Sequence, residues 1–189
     1  TIGYCNSCNL TDENVPSNFC GYQDAHQGVA YSGFVTCFEP PNENSREYIQ
    51  VELISELEAQ ELYEFTCFLS VAEVSKYCLN TLGITLTNNP IGGNFISEIP
   101  FQSPTIFSTE NSLCTDTNWV KVSCFYLAKG GEKFLTIGTF ENDNNLNYQL
   151  KNNSGNQNCA YYYIDDVSLY KVQSISFPNI FTPNNDGIN

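Results

Sequence analysis

Positive charge is scarce in this chain. Seven Lys and Arg stand against twenty-one Asp and Glu, for a formal net charge of −14. Phosphate groups are held by clustered cations, so the charge balance argues strongly against nucleic acid or anionic lipid as a partner. No apolar run reaches the ~18 residues that span a bilayer, so no membrane span is expected. The start lacks the basic-then-apolar pattern of a signal peptide. Methionine is absent even at position 1, as a processed or excised piece would show. His26 is the sole histidine, and no G-x-S-x-G motif accompanies it. Without a nucleophile to serve, it reads as a structural residue and not as a general base. Zinc is disfavoured on the same scarcity: Cys5-x-x-Cys8 has no second CxxC, and one histidine cannot complete a four-ligand site.

The chain does have cysteine and aromatic residues in quantity. Nine cysteines occur in 189 residues: Cys5, Cys8, Cys20, Cys37, Cys67, Cys78, Cys114, Cys124 and Cys159. All are disulfide candidates, and the odd count leaves one for a partner or a free thiol. Hydrophobic residues make up 41%, enough for a packed core. Six segments have period-two character and β-branched or aromatic content: Ala30–Phe38, Glu47–Leu53, Leu62–Ser70, Trp119–Leu127, Phe134–Phe140 and Tyr161–Tyr170. Gly, Pro and Asn clusters separate them, including Pro40-Pro41-Asn42, Gly92-Gly93-Asn94 and Gly130-Gly131. Short strands so spaced predict an all-β sandwich of two mostly antiparallel sheets. Leu53–Ala59 reads either as a helical turn or as a strand end with an acidic turn. Val71–Leu79 is expected to leave the sheet, and 141–158 to be a polar surface loop.

Two resemblances sharpen this picture. Phe177-Pro-Asn-Ile-Phe-Thr-Pro-Asn-Asn-Asp-Gly-Ile-Asn189 resembles the opening of the gliding-motility-associated C-terminal domain. That domain sorts cargo of the type IX secretion system of Bacteroidota. The resemblance implies an extracellular, cell-surface location and the type IX secretion machinery as a partner. The body carries Gly21-Tyr-Gln-Asp-Ala-His-Gln-Gly-Val-Ala-Tyr-Ser-Gly33, then Arg46-Glu-Tyr-Ile-Gln-Val-Glu-Leu53 and Tyr63–Tyr77, and closes on Tyr162-Tyr-Ile-Asp-Asp-Val-Ser-Leu-Tyr170. This order is similar to the jelly-roll domains that precede such sorting domains, and more distantly to the carbohydrate-binding-module jelly roll. The implied organisation is a jelly-roll domain over 1–170, a linker over 171–176 and the start of a sorting domain over 177–189. Such domains usually open on a strand close to NGSFE. Nothing like it precedes Gly21, so a missing first strand and an open sheet edge are expected.

The resemblance also implies a structural Ca²⁺ held by one of the two closing-strand carboxylates, Asp166 ahead of Asp165, together with backbone carbonyls near Asp24–Gly28. Within one strand Asp165 and Asp166 should point to opposite faces and not form an acid pair. Trp119, Tyr148, Tyr162 and Tyr163 are candidates for a sugar-stacking face, with Trp119 expected in the core and Tyr148 exposed. No pair of carboxylates is selected by spacing, so glycoside hydrolysis has no candidate residues and no enzyme is expected. The function this supports is a non-catalytic adhesion or glycan-binding module. The alternative is a filament or sheath subunit that joins neighbouring copies of itself by strand addition.

Overall fold

The computed structural model describes residues 3–9, 12–39, 45–79, 82–92, 104–107, 112–114, 118–146, 148–151 and 155–173. Thirteen strands and no helix form among them: β1 (Gly3–Asn6), β2 (Ser17–Asn18), β3 (Gly21–Tyr22), β4 (Ala30–Phe38), β5 (Ile49–Glu52), β6 (Leu62–Val71), β7 (Tyr77–Leu79), β8 (Gly83–Thr87), β9 (Thr105–Ile106), β10 (Val120–Leu127), β11 (Phe134–Gly138), β12 (Tyr148–Leu150) and β13 (Cys159–Lys171). A five-stranded sheet runs β1-β4-β13-β6-β10 and a four-stranded sheet runs β5-β11-β8-β9. Every strand pair is antiparallel. The result is a jelly-roll β-sandwich, as the sequence predicts.

Alternation builds it. On β6, Tyr63, Phe65, Cys67 and Leu69 are buried while Glu64, Thr66 and Phe68 between them are half-exposed. The buried set joins Phe34, Val122, Ile164 and Tyr162 of the same sheet and Ile84, Leu86, Leu135 and Ile137 of the other. Each fully buried Leu, Ile or Phe there contributes on the order of 1.5–3 kcal/mol. One charged side chain is enclosed as well. Arg46 is 1% exposed; it donates from Nη1 to the carbonyls of Thr139 (3.0 Å) and Glu141 (2.5 Å) and pairs through Nη2 with Asp143. It thereby ties the chain ahead of β5 to the loop after β11.

Several elements differ from expectation. Four residues before Gly21 do form a strand: β1 covers the edge of β4 that the sequence left open. β7 and β8 go unseen in the sequence because both faces are buried, which removes the alternation. The polar 141–158 stretch is not all surface loop. It contains β12, paired with β7, as well as buried Leu146 and Lys151. The Lys151 ammonium donates to the carbonyls of Ala72 (2.8 Å) and Glu73 (3.2 Å). Of the two readings of Leu53–Ala59, the turn after a strand end holds: the segment turns back so that the Leu57 N–H donates to the Glu132 carbonyl at 3.0 Å. The sorting-domain motif at 177–189 lies outside the described residues.

Candidate ligand-binding face

The outer face of the five-stranded sheet divides into a covered half and an open half. Over the covered half lies a lid, residues 12–28. Cys20 of the lid packs down on Cys5, Tyr31, Ala72, Cys159, Tyr161 and Tyr163 beneath it as a second apolar cluster. Polar tips hold the lid down. The Tyr163 hydroxyl donates to Asn18 Oδ1 (2.8 Å), the Tyr31 hydroxyl donates to the Gln23 carbonyl (3.0 Å), and the Ser70 hydroxyl donates to Gln23 Oε1 (2.7 Å).

Beyond the lid the register lays outward residues in rows across β13, β6 and β10. Asp165 lies opposite Phe68, and Phe68 opposite Lys121. The next row is Ser168, Thr66 and Ser123; the last is Tyr170, Glu64 and Phe125. Tyr170 is 70% exposed and Phe125 57%. The Thr66 and Ser168 hydroxyls share a hydrogen bond at 2.7 Å. A shallow depression of about 340 Å³ opens here, bounded by Gln27, Phe68, Lys121, Asp166, Ser168 and Tyr170.

The lid meets the open half at a bulge. Three residue steps on β13, from Asp165 to Ser168, face two on β6, from Phe68 to Thr66. The extra residue breaks the alternation, and Asp166 takes a positive φ of 49°. The expectation that the two carboxylates diverge is therefore corrected: both meet the lid. Asp165 Oδ2 accepts from the N–H groups of His26 (2.9 Å) and Gln27 (3.3 Å), and its Oδ1 accepts from the Asp166 N–H (2.8 Å). Asp166 Oδ2 lies 2.5 Å from His26 Nδ1. The His26 ring stacks on Phe68 with centroids 3.6 Å apart and planes 19° apart. Trp119 stands edge-on to His26 at 6.2 Å, and its indole N–H donates to the Asp24 carbonyl at 2.8 Å. Among the described residues no three His, Cys, Asp or Glu side chains gather as metal ligands. With Asp165 taken up by N–H donors and Asp166 by the His26 ring, the residues present do not fit a bound calcium unless those contacts first break.

Two of the aromatic candidates are corrected. Tyr162 and Tyr163 are 0% and 1% exposed, so neither can stack on a ligand. As consecutive residues of β13 they point opposite ways, and each meets a cover. Tyr162 enters the inter-sheet core, where its hydroxyl donates to the Leu79 carbonyl at 3.0 Å. Tyr163 lies under the lid. Trp119 is half-buried against the lid cluster. Tyr148 is exposed, but it sits on the β7–β12 ribbon edge-on to Tyr77, not in the rows. The residues that do form the open rows, Tyr170, Glu64, Phe125, Thr66 and Ser168, carry only one sequence signal: they are the outward members of alternating strands.

Of the nine cysteines only Cys78 and Cys114 are bonded. Cys8 is an exposed thiol, while Cys5, Cys20, Cys37, Cys67, Cys124 and Cys159 are buried thiols. That is far fewer bonds than the composition predicts. Burial pushes the Cys37 and Cys124 thiols up to about 12, which leaves them unreactive in the folded protein.

No protein-family model matches the chain, and no curated protein matches it. Among solved structures it is similar to the CBM22-1 xylan-binding domain of Xyn10C from Paenibacillus barcinonensis. The two share 15% identity over 91% of this chain and 94% of that one, with a TM-score of 0.44. A likeness at that level says nothing about ligand, and the fold assignment rests on the strand pairing.

Proposed function

We propose that this chain is a non-catalytic, extracellular glycan-binding module that takes an extended sugar chain across its open half-face. The observation that carries this is the Tyr170–Glu64–Phe125 row. Two exposed rings flank a polar residue on one side of the sheet. They stand two strand spacings apart, roughly 10 Å, which is about the length of a disaccharide in an extended chain. The faces of sugar rings stack on such platforms, and the Ser168, Thr66 and Ser123 row beside them supplies hydroxyl partners. The shallow, open floor suits the interior of a polymer better than a chain end. The net charge of −14 favours a neutral glycan over a polyanion. An extracellular setting is supported by the Cys78–Cys114 bond and by the sorting-domain resemblance of 177–189.

The test is affinity electrophoresis through neutral polysaccharides. Tyr170→Ala and Phe125→Ala should each weaken binding by about 5–30-fold, equivalent to about 1–2 kcal/mol. Tyr148→Ala, off the row, should change nothing. Full retention of binding by both row variants would refute the assignment. The alternative, assembly by strand addition, loses its motive at β1, which covers β4. It keeps one at β10, which ends the sheet with exposed Phe125 and Leu127. Concentration-dependent sedimentation abolished by Phe125→Lys would favour it.

A further inference from the structure

The Tyr170–Glu64–Phe125 row holds a carboxylate between two rings. Register sets Glu64 directly opposite Tyr170 on β13 and Phe125 on β10. Side chains so opposed start about 5 Å apart. Both rings are more than half exposed, and Glu64 is half-exposed between them. Among the described residues no cation answers this carboxylate, and it accepts no hydrogen bond. Lys171, next to Tyr170, is taken by Glu58 (2.8 Å) and Glu61 (3.2 Å). Lys121, the only cation in the three rows, stands four residues from Phe125 on β10. That is about 13 Å along the strand, beyond side-chain reach of Glu64. Asp165 and Asp166 are already occupied by the lid. Glu64 is thus the carboxylate of the open rows left for a ligand.

We propose that Glu64, Tyr170 and Phe125 form a subsite for a protonated amino group, so that the glycan taken by this face carries free amino sugars. This rests on the glycan reading of the face and narrows it. The three groups suit an ammonium in complementary ways. The carboxylate accepts its N–H donors in charge-assisted hydrogen bonds. A cation within about 6 Å of a ring centroid is drawn to the ring's negative face, and here a ring stands on either side. A sugar hydroxyl also donates to a carboxylate, but it leaves the charge uncompensated. The field of the chain, at a formal −14, adds attraction for a cationic polymer. A lysine-rich peptide brings the same ammonium without a sugar ring to stack on Tyr170 and Phe125, so the rings favour the amino sugar.

The experiment is calorimetric titration of the whole chain with oligomers of glucosamine and of N-acetylglucosamine, matched in linkage and length, at a pH that keeps the free amines protonated. Acetylation removes the charge and keeps the sugar ring. The glucosamine oligomer should bind about tenfold tighter, the combined scale of an exposed ion pair and a cation–π contact. The advantage should shrink at high salt. Glu64→Gln should abolish the preference, whereas Glu52→Gln, an equal change of charge at an exposed position of β5, should keep it. Equal affinity for the two oligomers, binding of neither, or a preference that survives Glu64→Gln would overturn the proposal. If Tyr170→Ala still weakened binding to a neutral polysaccharide, only the amino-group subsite would fall and the glycan face would stand. A lysine-rich peptide bound as tightly as the glucosamine oligomer would also overturn it, because the face would then read charge and not sugar.

Discussion

Breaking the Cys78–Cys114 bond should be costly. The bond closes a loop with a sequence separation of 36 residues. On the chain-entropy account, a loop of that length restrains the unfolded state by about 4 kcal/mol at 25 °C. In a chain of this size, that corresponds to a melting-temperature drop of roughly 8–16 °C. Cys78 is fully buried on β7 and Cys114 only partly so, so the clean perturbation is Cys114→Ser, which leaves the core thiol in place. Urea unfolding followed by fluorescence, with the parent and the variant run side by side without reductant, measures the difference. The parent unfolded in reductant should fall onto the variant. The segment inside the loop includes β8, whose pairing with β11 builds it into the four-stranded sheet, so that sheet depends on the link. A loss below about 1 kcal/mol would refute the reasoning. It would mean that the unfolded chain is already held compact near this loop, or that the link is not made.

Arg46→Ala should cost about 3–5 kcal/mol, because it strips a buried guanidinium from Asp143 and from the carbonyls of Thr139 and Glu141; denaturant unfolding reads it, and a change under 1 kcal/mol would contradict the burial. Burial alone would raise the pKa of Glu132, but the Lys129 N–H, the Tyr126 hydroxyl and the Gly130 N–H hold its carboxyl below the usual range. Its contribution is therefore complete above the ordinary Glu value of about 4.3 and is lost as pH falls through the lowered one. Glu132→Gln should flatten the acid limb of a stability–pH profile, and an unchanged limb would remove this role. Excess chelator should leave the melting temperature unchanged, since N–H donors and the His26 ring already occupy Asp165 and Asp166; a drop of several degrees would show that a cation displaces those contacts.

Much of the sandwich was legible in the sequence. Ala30–Phe38 matches β4, and Leu62–Ser70 and Trp119–Leu127 match β6 and β10 to within a residue, because a strand with one face in the core writes its burial as alternation. Charge likewise argued against nucleic acid, and aromatic content made a stacking face reasonable, before any fold was known. Alternation says that a residue is on one of two faces, not what covers that face. Tyr162 and Tyr163 looked equally suited to a ligand, yet the opposite sheet encloses one and the lid the other. Tyr170 and Phe125 lie far apart in sequence and become a pair only because both are registered opposite Glu64. The bulge that turns Asp166 toward His26 is likewise a property of the β13–β6 pairing, set by one extra residue in the ladder. Local pattern determined the strands; long-range register, which no local pattern encodes, decided which side chains meet and which remain open to a ligand.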